Sequence, residues 1–182
     1  MTGTVQGTGW PVGRRERSQW RTMRVSDTLA FAAGHWRIER VLADHRSGTQ
    51  GRFTGSATLS DPAPGDPAPD GADDPGPTPS RPALRYLETG ELRFGTHTGP
   101  ATRTLCYQGR PDGTVDVRFT GGHLFYRLDL RSGRCVAVHQ CRADRYEITY
   151  LVLSENAMEE RWQVRGPGKD YEATATLTRW DH

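Results

Sequence analysis

Residues 145–180 read RYEITYLVLSENAMEERWQVRGPGKDYEATATLTRW. Tyr146, Ile148, Tyr150 and Val152 alternate with Glu147, Thr149 and Leu151, and the turn signal Ser154-Glu155-Asn156 ends the run. Met158–Arg165 follows, then Gly166-Pro167-Gly168, then Asp170–Trp180, where Tyr171, Ala173, Ala175 and Leu177 alternate with Glu172, Thr174, Thr176 and Thr178. Period-two alternation over five to eleven residues, cut by tight turns, specifies antiparallel hairpins with one buried face.

The same grammar extends upstream. Strand segments are expected at His35–Ala43, Gln50–Leu59, Leu84–Glu88, Glu91–Thr96, Ala101–Gln108, Thr114–Phe119, His123–Leu130 and Arg134–Cys141. Val115, Val117 and Phe119 share one face. Leu124, Tyr126, Leu128 and Leu130 share another, opposite His123, Phe125, Arg127 and Asp129. Turns are expected at Thr89-Gly90 and Gly121-Gly122, and Arg110-Pro111-Asp112-Gly113 has hairpin-turn chemistry. Ser26 and Asp27 offer cap oxygens to a short helix through Thr28–Ala33, stopped by Gly34. The expected fold is all-β: an antiparallel up-and-down barrel of about eight to ten strands with a short N-terminal helix, since a meander must hide its edges. A two-sheet sandwich is the alternative.

The chain has 182 residues and a net charge of +2. That length suits a single domain, and that charge argues against a strongly basic nucleic-acid binder. No stretch approaches the roughly 20 apolar residues of a membrane helix, so neither nucleic acid nor membrane is an expected partner. Residues 1–24 carry five Arg and one Glu and read as a flexible basic tail, with Met23 a candidate natural start. Residues 25–182 form the expected β-barrel domain. A Pro/Asp-rich loop at 60–82 interrupts it, holding five Asp between residues 60 and 80 and expected to be disordered. The five tail arginines precede no apolar segment, which reads as the absence of a signal peptide and a cytoplasmic location. Cys106, Cys135 and Cys141 form no Cys-x-x-Cys pair. In a strand, Cys135 and Cys141 would stand about 20 Å apart, too far for a disulfide. Free thiols fit a reducing compartment.

Gly34-His35-Trp36, after a short helix and before a meander, resembles the opening of the lipocalin and fatty-acid-binding (calycin) superfamily. The resemblance implies that Trp36 plugs the closed barrel end and that Arg179 packs across it. The chain also resembles an uncharacterised, mainly bacterial family of calycin-like domains over roughly residues 28–180. The marks are Gly34-His-Trp36-x-x-x-Arg40, Tyr86-x-Glu88, Phe119-x-x-Gly-x-x-Phe125, His139-x-Cys141-x-x-Asp144-x-Tyr146 and Trp162-x-Val164-x-Gly166-Pro-x-Lys169-Asp-Tyr171. No activity follows from that family. No cofactor is expected, with haem the alternative. Haem-binding nitrobindin-like barrels open similarly, but their metal contact is a His near the barrel's C-terminus. Here the last strand has no His before His182.

His139-Gln-Cys141-Arg-Ala-Asp144-Arg-Tyr146 is the densest polar stretch. His139 and Cys141 share a strand face with Cys135 and Ala137, opposite Val136 and Val138. A His beside a Cys can be a nucleophile–base pair or two metal ligands. A metal would need further ligands, with His123 the nearby candidate, and no metal site is expected. The bland alternative is a pocket-lining His and an inert Cys. Tyr86 and Glu88 share a face, and an inward Glu88 needs an Arg partner, with Arg40, Arg103 and Arg127 available. Lys169, the only lysine, falls at a turn tip.

The leading expectation is a binding barrel for a small, partly apolar molecule. Its ligand contacts would be His139, Cys141, Tyr86, Glu88, His123, Phe125, Arg127, Tyr146, Trp162 and Lys169. The alternative is an isomerase, cyclase or hydratase on the same barrel, with His139, Glu88 and Tyr146 as acid/base groups. A haem-binding barrel and an interaction module are further alternatives.

Overall fold

The computed structural model describes residues 21–63 and 82–180. The expected tail up to residue 20, residues 64–81 of the Pro/Asp-rich loop, and His182 lie outside them. Helix α1 (Thr28–Ala32) precedes strands β1 (Gly34–Asp44), β2 (Gln50–Ser60), β3 (Ala83–Phe94), β4 (His97–Gly109) and β5 (Val115–Arg118). Then come β6 (Leu124–Leu128), β7 (Arg134–Cys141), β8 (Asp144–Ser154), β9 (Ala157–Arg165) and β10 (Asp170–Arg179). Chain neighbours pair antiparallel from β1 to β6 and from β7 to β10, and β1 pairs with β10, so the meander wraps into a nearly closed barrel. The remaining seam lies between β6 and β7, which run side by side without a ladder. Side chains bridge it: the Phe125 ring stands 4.9 Å from that of His139. The sandwich alternative is excluded by this closure.

One end of the barrel is plugged. Asp27 caps α1 by accepting a hydrogen bond from Ala30 N at 2.7 Å. The Thr28 hydroxyl, fully buried, accepts from Leu130 N at 3.0 Å and fixes the helix to the barrel. Trp36 is fully buried beneath it and donates its indole N–H to Ala32 O at 2.9 Å. Arg179, opposite Trp36 in register, lays its guanidinium 4.3 Å over the indole. It also donates to Ala33 O at 2.7 Å and Phe31 O at 2.5 Å. Arg179 thereby gives its charge a π-face while closing helix carbonyls that have no partner within a five-residue helix. Among the described residues, no helix is long and apolar enough to cross a membrane.

Three local expectations differ from the structure. The turn at Thr89-Gly90 is strand interior, because Leu84–Glu88 and Glu91–Phe94 belong to the single strand β3. Gly90 faces Gly55 across the ladder, and a Cβ on Gly90 would stand 2.7 Å from Gly55 Cα and 2.7 Å from the Phe53 ring. The glycine pair serves close backbone approach beneath an aromatic ring. Next, a register shift between β5 and β6 breaks the alternation at Leu124. Leu124 turns outward and Phe125 joins Tyr126 in the core. Finally, the end of the expected tail is docked: Met23 N donates to Val152 O at 2.9 Å, and Met23 and Val25 pack against the core.

Candidate functional site

Period-two alternation on β1 turns Trp36, Ile38 and Arg40 inward, so the apolar plug gives way to a charge halfway up the barrel. Register supplies its partners. Arg40 pairs with Ala175, and Ala175 pairs with Glu160. The small Ala175 leaves room for the guanidinium to reach across β10, and Arg40 Nη2 lies 3.3 Å from Glu160 Oε2. On its other side, across β2, Arg40 holds Glu88 with two parallel bonds of 2.8 and 2.9 Å. This fork is the bidentate geometry that suits a carboxylate. Glu88 also accepts from Tyr86 at 2.5 Å and from Arg103 at 3.0 Å. Glu160 accepts from Tyr150 at 2.7 Å, and Tyr150 lies 2.6 Å from the Tyr126 hydroxyl. Because Tyr150 commits its proton to Glu160, Tyr126 donates to Tyr150. Two arginines and two glutamates, with three tyrosines, thus form one interior layer.

The electrostatics follow from this pairing. Burial alone would raise the Glu88 carboxyl, but the bonds from Arg40 and the charge of Arg103 outweigh it and hold it at about 2. Glu88 and Glu160 are each only 4% exposed, so both charges depend on their partners. Burial pushes the Tyr86, Tyr126 and Tyr150 hydroxyls well above their ordinary range and Tyr107 up to about 12. These phenols are fixed proton donors.

Above this layer, at the end away from α1, the wall is aromatic. Tyr171, Val164, Tyr146 and His139 lie in one register row. The His139 ring stands 4.9 Å from Phe125, 5.9 Å from Tyr146 and 6.0 Å from Phe119. Trp162 lies 5.7 Å from Phe125 and 6.4 Å from Tyr146. Arg103 joins the two zones, its guanidinium 5.3 Å from both the Tyr86 and Trp162 ring centres. At the rim, Lys169 lies 5.1 Å over the Tyr146 ring, bonds its hydroxyl, and is 3.9 Å from Asp144.

The structure therefore brings together Tyr86, Glu88, Phe125, His139, Tyr146, Trp162 and Lys169 from the expected set. It places three others elsewhere. His123 is exposed in the β5–β6 turn. Arg127 is an outer-face residue, paired at 3.3 Å with Asp116, which Arg110 and Arg118 also hold. Cys141 is exposed at the end of β7. Among the described residues, no group of three or more His, Cys, Asp or Glu is placed to hold a metal. Of the three arginines the sequence offers Glu88, Arg40 and Arg103 pair with it and Arg127 does not; Glu160, Tyr150 and Tyr126 were not anticipated. The signal for Glu160 was present: it interrupts the apolar face Met158, Trp162, Val164.

The interior below the charged layer is filled. The enclosed cavity there, lined by Leu59, Tyr107, Leu128, Met158 and Leu177, has a volume of about 10 Å³, the room of a single water. A larger groove of about 420 Å³ lies on the outer face of β7–β9, between Thr22, Arg134, Glu147, Arg161 and Gln163.

A ten-stranded up-and-down barrel, plugged at one end and charged across its middle, defines the class. Residues 32–179 match the model of DUF6314, and the chain belongs to this family of unknown function. No curated protein matches the sequence. Among solved structures, the S-type phycobiliprotein lyase CPES from Guillardia theta shares the fold. The TM-score is 0.65 at 12% identity, covering 88% of this chain and 94% of the lyase. A protein of unknown function from the DUF3598 family of Nostoc punctiforme gives 0.44 at 12% identity, covering 88% of this chain and 51% of that one. The redesigned barrel mFAP0 bound to DFHBI gives 0.40 at 12% identity, covering 82% and 99%.

Proposed function

We propose that the barrel binds a small, partly apolar molecule at the end away from α1, between the charged layer and the aromatic wall. The observation that carries this reading is the wall itself: Phe125, His139, Tyr146 and Trp162 converge directly above a buried polar layer. Aromatic lining with a few fixed polar groups is the usual make-up of a ligand site. The filled lower half supports this zone over the interior nearer α1. The fold shared with a phycobiliprotein lyase supports a barrel of this kind, although fold alone does not set function. The enzyme alternative with Glu88 as acid or base is disfavoured, since a carboxyl held at about 2 by Arg40 and Arg103 is a weak base near neutral pH. His139 and Tyr146 serve in this reading as contacts. The free thiols Cys106, Cys135 and Cys141 support a reducing, cytoplasmic setting, and the family resemblance a bacterial one.

The second reading is an interaction module, favoured by the outer groove on β7–β9. Equilibrium dialysis of the full chain against N-phenyl-1-naphthylamine separates the two. Saturable 1:1 uptake that falls with His139→Ala is expected. Uptake unaffected by His139→Ala but abolished by Arg161→Ala would move the site to the outer groove.

A further inference from the structure

The chemistry of the bound molecule is written in two donors that have no acceptor. The buried side-chain nitrogens Trp162 Nε1 and Arg103 Nε have no hydrogen-bond partner in the protein. Trp162 is 8% exposed, so its indole N–H is out of reach of bulk water, and a buried donor left unpaired is costly. The Arg103 guanidinium lies 5.3 Å from the Trp162 ring centre, so the two unpaired donors belong to neighbouring side chains. The other end of Arg103 is committed: Nη2 donates to Glu88 at 3.0 Å and Tyr86 at 3.2 Å and lies 3.9 Å from Glu160. Its side chain is 28% exposed. The rim carries the Lys169 ammonium beside Tyr146.

We infer that the ligand is a planar aromatic or conjugated molecule bearing an oxyanion, of the carboxylate class, which it presents to Arg103 Nε–H and Trp162 Nε1–H. This rests on the mouth being the binding site. Three observations converge on it. The two groups left unpaired on these side chains are both donors, so they call for acceptor oxygen. The charged layer pairs two arginines with two glutamates, and Lys169, 3.9 Å from Asp144, adds a further donor at the rim. The surrounding wall of Phe125, Tyr146 and Trp162 offers ring faces and edges to a flat body.

The test compares two probes with one skeleton, 1-anilinonaphthalene-8-sulfonate and its uncharged parent N-phenyl-1-naphthylamine, by equilibrium dialysis with the full chain. The sulfonate stands in for the ligand oxyanion. The wild-type protein is expected to bind the anion about tenfold more tightly, the worth of a charge-assisted hydrogen bond. Trp162→Phe removes the N–H and keeps a ring, so the preference for the anion over the neutral probe should fall from about tenfold to near one. Arg103→Lys should do the same if it melts cooperatively, and Trp162→Phe decides the matter if it does not. Equal binding of the two probes by the wild-type protein, or equal weakening of both by Trp162→Phe, overturns the inference and leaves a binding barrel standing. Uptake of neither probe overturns the binding barrel itself.

Discussion

Arg40→Met removes the guanidinium that makes two bonds to Glu88 and one to Glu160, and leaves both carboxylates inside the barrel. Met fills similar space without charge, so the loss is electrostatic. Removing one partner of a buried ion pair costs roughly 3–5 kcal/mol. The depressed Glu88 carboxyl gives a second figure. Glu88 falls from an ordinary 4.5 to about 2, and at 1.36 kcal/mol per pKa unit that difference is worth roughly 3 kcal/mol. The two figures agree. Because the folded value is depressed, this stability is fully present above about pH 4.5 and is lost as pH falls from there toward 2. In Arg40→Met, Glu88 loses the bonds that held its carboxyl down and burial favours its protonated form, so the deficit shrinks as acid neutralises it. Urea unfolding followed by circular dichroism and by tryptophan fluorescence at pH 7 and pH 4 measures both effects. A deficit below about 1 kcal/mol at pH 7, or one that does not narrow at pH 4, would refute the reasoning.

Trp36→Ala empties the space beneath α1 and removes the face that Arg179 covers. Thermal and urea unfolding should show a loss of roughly 3–5 kcal/mol. Gly90→Ala places a methyl group against Gly55 Cα and the Phe53 ring. A drop in melting temperature is expected, whereas Gly121→Ala, with nothing within 4 Å, should melt like the wild type. Thiol titration with 5,5′-dithiobis(2-nitrobenzoate) should show one fast and two slow groups. Cys141 is exposed, while burial raises the Cys106 and Cys135 thiols. Three thiols reacting together would contradict the burial assigned to those two strands.

The barrel was legible because alternation is a local property. On β8 the buried Tyr146, Ile148, Tyr150 and Val152 are the residues whose spacing announces the strand. The plug was legible for a different reason: the resemblance carried by Gly34-His-Trp36 implied that Arg179 packs on Trp36, and the two are register partners. Glycine carried less information. Gly90 reads as a turn residue in sequence, yet its role is to let two strands approach. The bulge at Leu124 was likewise hidden, since a register shift leaves no mark in residue type. Of the site, Glu88 and its arginine partners could be anticipated from the cost of an unpaired inward charge. The contact of Arg103 with Trp162 could not, because it joins β4 to β9 and depends on how strands distant in sequence face each other across the barrel.

The central claim is that a small molecule enters above the charged layer, beside Trp162. Proton–nitrogen correlation spectra resolve tryptophan indole N–H groups individually, with Trp162→Phe assigning its own signal. On titration with 1-anilinonaphthalene-8-sulfonate, the Trp162 indole signal should shift saturably. The Trp36 signal, locked to Ala32 O at the plugged end, should stay still. Shifts confined to Arg134, Glu147 and Arg161 on the outer groove, or an unmoved Trp162 signal at saturation, would contradict the account.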